Sequence, residues 1–157
     1  VNFEKLDRKP TVLLRGQMPG YGRLTRRIYI PGTLLSVNPG TVRGVPGRFA
    51  RNERVVCVFE SERGPFILVL VGATIVGSIS TVWHGVVNPR RSGRVREWHY
   101  DSQPLIFEKG DEMGRFQLGS TVVMLFPKSR MQFNQQWASG RPVRFGEMMG
   151  MKTGGNN

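Results

Sequence analysis

Side chains able to do acid, base or nucleophilic chemistry are few in this sequence, and most stand alone. His84 and His99 are its two imidazoles and Cys57 its one thiol. With no HxxxH or CxxC spacing, no zinc set is spelled out and no metal site is expected. His84 follows Trp83 at the end of a strand pattern, and His99 stands in a similar place, so each reads as a partly exposed strand-end residue. Cys57 lies inside the apolar run Val55-Val56-Cys57-Val58-Phe59, which suits a buried, inert thiol and rules out a disulfide within the chain. A GxxxxGK[ST] phosphate loop is absent, and the Ser in Gly77-Ser78-Ile79 lacks the second glycine of a GxSxG elbow. Nucleotide hydrolysis and ordinary serine hydrolysis are therefore without support. Glu60 and Glu62 share one face of a strand pattern and read as solvated surface charges.

The segment Lys109-Gly110-Asp111-Glu112-Met113-Gly114-Arg115-Phe116-Gln117-Leu118-Gly119-Ser120-Thr121-Val122-Val123 carries more. A serine hydroxyl can attack the carbonyl that precedes it, converting the peptide bond to an ester, and elimination with loss of ammonia leaves a keto group. The segment resembles the processing site of phosphatidylserine decarboxylases, in which the bond between Gly and Ser of a G-S-[ST] motif breaks itself and the serine becomes a pyruvoyl group. The resemblance makes Gly119 and Ser120 the self-cleavage pair. It implies a ketone at Ser120 that takes up the substrate amine and draws off the electrons left when carbon dioxide departs.

Three further stretches are similar to the family and occur in its order. They are Tyr29-Ile30-Pro31-Gly32 through Ser36-Val37-Asn38, then Phe49-Ala50-Arg51-Asn52-Glu53-Arg54-Val55, then Val71-Gly72-Ala73-Thr74-Ile75-Val76-Gly77-Ser78-Ile79. Gly140-Arg141-Pro142-Val143-Arg144-Phe145-Gly146-Glu147 also fits, so the likeness runs from Met18 to Gly150.

One element departs from the pattern. The family carries Y-H-R-x-H-x-P, whose histidines support self-cleavage and later proton transfer. With Pro19 set on the motif's proline, the element reads Leu13-Leu14-Arg15-Gly16-Gln17-Met18-Pro19, and no histidine exists before His84. Neither Leu14 nor Gln17 titrates, so neither is a general acid or base. The family's helper Asp, in an upstream P-x-D-G element, has no counterpart among these residues.

The sequence carries 23 Lys plus Arg against 11 Asp plus Glu, a formal charge of +12. From Arg8 to Arg54 there are ten cations and a single acid, Glu53. Arg forks bind phosphate bidentately, so Arg8, Lys9, Arg15, Arg23, Arg26, Arg27, Arg43 and Arg48 are the candidates for binding nucleic acid or an anionic surface. Charge alone does not separate RNA from lipid.

The elements that must hold these residues are mostly strands. Val, Ile, Thr and Phe recur between Gly and Pro marks, which predicts a mainly β domain with minor helix, and the resemblance implies the β-rich phosphatidylserine decarboxylase-like domain. Strands are expected at Gly22 to Ile30, Leu34 to Val37, Arg54 to Glu60, Phe66 to Val71, Ile75 to Val82, Arg94 to His99, Thr121 to Phe126 and Val143 to Phe145. A short helix is expected at Gly47 to Glu53, and Gln132 to Ala138 fits neither period. Residues 1–152 read as one domain, divergent over the first 17 or so, with 153–157 a tail. No apolar run reaches the roughly 20 residues needed to span a bilayer, and the start does not read as a signal or transit peptide.

From the lost histidines, the sequence is read as a catalytically inactive decarboxylase homologue. Its expected role is that of a structural subunit in a larger assembly, a mitochondrial ribonucleoprotein contacting RNA through the Arg-rich region, with no cofactor. The alternative is an active pyruvoyl-dependent enzyme making phosphatidylethanolamine at an anionic, inner-membrane surface, with His84 or a separate N-terminal half standing in for the missing groups. A third reading is a lipid-binding module that performs no reaction.

Overall fold

The computed structural model describes residues 14–35, 48–73, 79–87, 93–116, 121–128, 130–138, 140–144 and 146–153. Among the described residues the strands are β1 (Leu14–Gln17), β2 (Gly22–Ile30), β3 (Arg54–Glu60), β4 (Phe66–Val71), β5 (Ile79–Thr81), β6 (Gly85–Val86), β7 (Arg96–His99), β8 (Leu105–Phe107), β9 (Glu112–Phe116), β10 (Thr121–Leu125), β11 (Met131–Phe133) and β12 (Gly150–Lys152), with one short helix, α1 (Arg48–Arg51). The chain is mainly β with minor helix, as its composition implies. No helix among the described residues is long and apolar enough to cross a membrane.

Three antiparallel sheets organise these strands. The largest runs β10-β4-β3-β2-β7, and β8 continues along the same outer edge of β2 that β7 occupies. A second runs β1-β9-β5-β6, and β11 pairs with β12 alone. Alternation explains the central ladder: Val55, Cys57 and Phe59 of β3 and Phe66, Leu68 and Leu70 of β4 face inward and are buried, while Val56, Val58, Ile67 and Val69 between them are half-buried. Met113 and Phe116 of β9, Ile79 of β5 and Met18 join them in one cluster, so both larger sheets share a core. Phe59 stacks on Phe66 at 5.1 Å, and Phe126 and Phe133 carry the aromatic contact outward to the small sheet.

Several expected boundaries shift. Leu34 and Leu35 are not in a strand, and neither are Val143 and Arg144; the ends of those segments, Ser36, Val37 and Phe145, lie outside the described residues. The strand expected from Ile75 is described only as Ile79–Thr81, since 75–78 fall outside. The ambiguous segment after Met131 is a three-residue strand followed by turns. Strands β1, β6, β8, β9 and β12 were not expected: they are two to five residues long and interrupted by Gly or charge, so no alternation can be read from them.

Candidate active site

Gly119 and Ser120 lie outside the described residues, but Ser120 is bonded to Thr121, the first residue of β10. Thr121 is buried and stands opposite Val71, and Val71 in turn stands opposite Arg54. Thr121, Val71 and Arg54 therefore form one rung across three strands.

Three of the stretches that carry the resemblance meet at the end of that rung, and Asn52 ties them together. Its amide donates to the carbonyls of Leu35 at 2.8 Å and Gly72 at 2.9 Å, while its own oxygen accepts from Leu35 N–H at 3.2 Å. Around it Glu53 N–H donates to Thr33 O, Thr33 N–H to Arg51 O, and Gly72 N–H to Glu53 O. Gly32 passes so close that a Cβ there would meet Arg51 O at 2.3 Å and the Asn52 carbonyl carbon at 2.5 Å, both backbone atoms that cannot swing away. This packing requires glycine. Sequence reasoning missed Asn52 as a positioning residue, because its partners are 17 and 20 residues distant and no local spacing announces them.

The departing element is placed beside the processing segment. β1 pairs with β9 along Leu14↔Phe116, Arg15↔Arg115, Gly16↔Gly114 and Gln17↔Glu112. Just beyond, Met18 N–H donates to Asp111 O at 2.8 Å and Met18 O accepts from Gly110 N–H at 2.9 Å. The positions where the family has histidines thus run along the strand that leads toward Gly119. Position 14 is the nearer of the two.

Neither histidine of the chain is close by. His84 packs on Trp98 with ring centroids 5.6 Å apart, and His99 belongs to the same strand, with Nε2 3.3 Å from Glu97. That strand, β7, is four places from β10, about 19 Å along the sheet at ordinary strand spacing. Burial first, and nearby Arg27 second, hold His84 below the usual imidazole range. His84 packs on β7, while Ser120, which it was expected to serve as a stand-in base, lies outside the described residues.

The expected cationic surface is partly spent within the fold. Arg23 pairs with Glu60, and Arg26 with Glu97 at 3.2 Å. Arg27 is not on the surface at all: it is 0% exposed, its guanidinium 3.9 Å from the centre of the Trp98 ring, and burial lowers its pKa. The backbones of Arg15 and Arg48 are in β1 and α1, and Arg8, Lys9 and Arg43 lie outside the described residues. Cys57 is buried, as expected, and burial pushes its thiol from the ordinary 9.0 to about 12.

Residues 13–151 match a sequence model of the phosphatidylserine decarboxylase family. Among curated relatives, a phosphatidylserine decarboxylase proenzyme of Nitrosospira multiformis is 65% identical over 154 residues, covering 96% of this chain and 53% of the relative. Proenzymes of the same name from Variovorax paradoxus and Herminiimonas arsenicoxydans are 64% and 67% identical over 148 residues, covering 94% of this chain and 52% and 50% of theirs. The chain spans about half the length of the curated relatives it matches. These relatives overturn the reading as an inactive ribonucleoprotein subunit. That reading gave two lost side chains more weight than the rest of the sequence, and it counted as RNA-facing several arginines that the fold pairs or buries.

Proposed function

Because the chain belongs to the phosphatidylserine decarboxylase family, we propose that it is the catalytic portion of an active decarboxylase, converting phosphatidylserine to phosphatidylethanolamine and carbon dioxide. The observation that carries this reading is the β1–β9 ladder, which lays Leu14–Gln17 along the strand that precedes Gly119-Ser120 in sequence. A self-processing serine needs its helper groups within hydrogen-bond reach, and this is the neighbourhood from which they would act.

The surrounding residues fit a pyruvoyl group made from Ser120. β9 belongs to one sheet and β10 to another, so breaking the bond between residues 119 and 120 severs no ladder among the described residues. The buried Thr121, opposite Val71, keeps the residue after Ser120 fixed when the new terminus forms. Once formed, the group supplies a ketone that stabilises the carbanion left by carbon dioxide.

Proton exchange falls to water or to a group from the upstream half of the protein, because positions 14 and 17 carry Leu and Gln. The partners in this reading are that upstream half and an acidic lipid surface, toward which a net charge of +12 is attracted.

The test is to express the chain joined to or alongside the upstream half of a close relative, then measure its intact mass and carbon dioxide release from phosphatidylserine vesicles. Two fragments divided at residue 119, the C-terminal one with a keto terminus, together with carbon dioxide are expected. A single uncut species that binds vesicles and releases no carbon dioxide would overturn the proposal.

A further inference from the structure

Arg27 sits in the middle of β2, directly opposite Cys57 on one side and Trp98 on the other. It is 0% exposed, and Nε, Nη1 and Nη2 are all buried with no hydrogen-bond partner among the described residues. A guanidinium carries five N–H donors and is always charged, so leaving all of them unmade in a dry interior is among the most costly arrangements available to a side chain. Arg23 and Arg26, on the same strand, each have a carboxylate. Arg27 has only the face of Trp98, which attracts the cation but accepts no hydrogen bond in the plane of the fork.

What surrounds Arg27 is suited to receiving an anion. Trp83 Nε1–H donates to the Tyr100 hydroxyl oxygen at 3.1 Å, which leaves the Tyr100 proton available to a further acceptor. His84 packs on Trp98, its ring tilted by 60° at a centroid distance of 5.6 Å. No carboxylate competes: Glu97, the acid of the adjoining strand, is engaged by Arg26 and His99. The covering elements are also peripheral. β7 is an edge strand, and the turn bearing Trp83 and His84 has a 3.2 Å bond from His84 N–H to Thr81 O. Trp98 and Tyr100 are half-buried and His84 is exposed, so a rearrangement of side chains at this edge would uncover the guanidinium without disturbing β3 or β4.

We infer that Arg27 is the centre of an oxyanion-binding site, in which a carboxylate or phosphate group is held by the guanidinium fork and the Tyr100 hydroxyl beneath Trp98 and His84. The site lies at the opposite edge of the sheet from β10 and does not depend on the decarboxylation reading. Its oxyanion could belong to a free small molecule or to a phospholipid headgroup, since both present the same acceptor oxygens.

Thermal melts of the full chain separate these possibilities. Wild type and Arg27→Met would be compared in chloride, inorganic phosphate, acetate and glycerophosphoserine at matched ionic strength, with Arg23→Met as a control for general surface binding. Methionine keeps the unbranched stem of the side chain and removes the guanidinium with its charge. In wild type and Arg23→Met, a saturable rise in Tm is expected, larger by roughly 2–4 °C than in Arg27→Met. Tryptophan emission should change over the same concentrations as the guanidinium leaves the Trp98 face. A response to phosphate or acetate assigns a free oxyanion, and a response to glycerophosphoserine alone assigns a headgroup. Equal shifts in wild type and Arg27→Met would overturn the inference. Should Arg27→Met not fold, the wild-type titration still decides: a linear, unsaturated rise of the kind excluded solutes give any protein, with tryptophan emission unchanged, would overturn it as well.

Discussion

Leu14 stands directly opposite Phe116 in the ladder between β1 and β9, and Phe116 is three residues before Gly119. Three residues span at most about 11 Å and neighbouring strands lie about 5 Å apart, so position 14 is within about 16 Å of the bond proposed to break.

Restoring imidazoles there is the most direct probe of the proposed chemistry. Leu14→His with Gln17→His is expected to accelerate self-cleavage by about 10² to 10⁴, the usual contribution of a positioned acid or base. Leu14→His should account for more of the gain, because Gln17 lies opposite Glu112, at the far end of β9. A time course of fragment appearance on denaturing gels, with the upstream half present, measures both. Equal rates in the parent and the double variant would show that position 14 does not reach the bond.

Ser120→Ala removes the nucleophile while leaving Thr121 free to hold its place opposite Val71. The expected product is one uncut species of 17.7 kDa with no decarboxylase activity and a melting temperature within a degree or so of the uncut parent. Intact mass and calorimetry on the same sample check it. Activity in this variant would exclude Ser120 as the source of the cofactor.

Asn52→Ala should cost about 2–3 kcal/mol, because it leaves the part-buried Leu35 carbonyl and the buried Gly72 carbonyl without their donor. Asn52→Asp, which keeps the shape but loses the donor, should be at least as damaging. Urea melts give the magnitudes. A loss below about 0.5 kcal/mol in both variants would mean that water replaces the amide.

Cys57 makes stability fall at high pH. Its folded pKa of about 12 lies above the ordinary 9.0, so the folded state holds the thiol proton more tightly and the advantage is complete below pH 9. As pH rises from 9 toward 12 that advantage is lost, at up to about 1.4 kcal/mol per pH unit. Cys57→Ala should show a shallower decline over the same window in denaturant melts. The wild-type thiol should also react with a disulfide reagent only as fast as the protein unfolds.

How much of this was legible beforehand depended on length and regularity. β2, β3 and β4 could be bounded to the residue because each has six or more residues of strand formers between clear turns. β9 could not, since Glu112, Gly114 and Arg115 interrupt any run of strand formers. Gly114 is there because a Cβ would meet Ser80 O at 2.6 Å where β9 runs beside β5. The inward side chain of Arg27 was hidden for a different reason. Strict alternation from the buried Leu24 would send Arg26 inward and Arg27 out, but the register shifts between Leu24 and Arg26 and reverses the phase. Gly119-Ser120, which lies outside the described residues, was singled out through its resemblance to the family's processing motif. Asn52 was not, because an amide bridging distant carbonyls leaves no pattern in the sequence.

The placement of β9 and β10 in separate sheets bears on how maturation can be observed. A break between residues 119 and 120 leaves residues 120–157 attached by the five-residue β10–β4 pairing, by Phe126 against Phe66, and by the Arg63 side chain on Thr153 O. Cut and uncut molecules would therefore elute from a sizing column as the same particle and scatter X-rays alike. Only separation under unfolding conditions would reveal that one chain had become two.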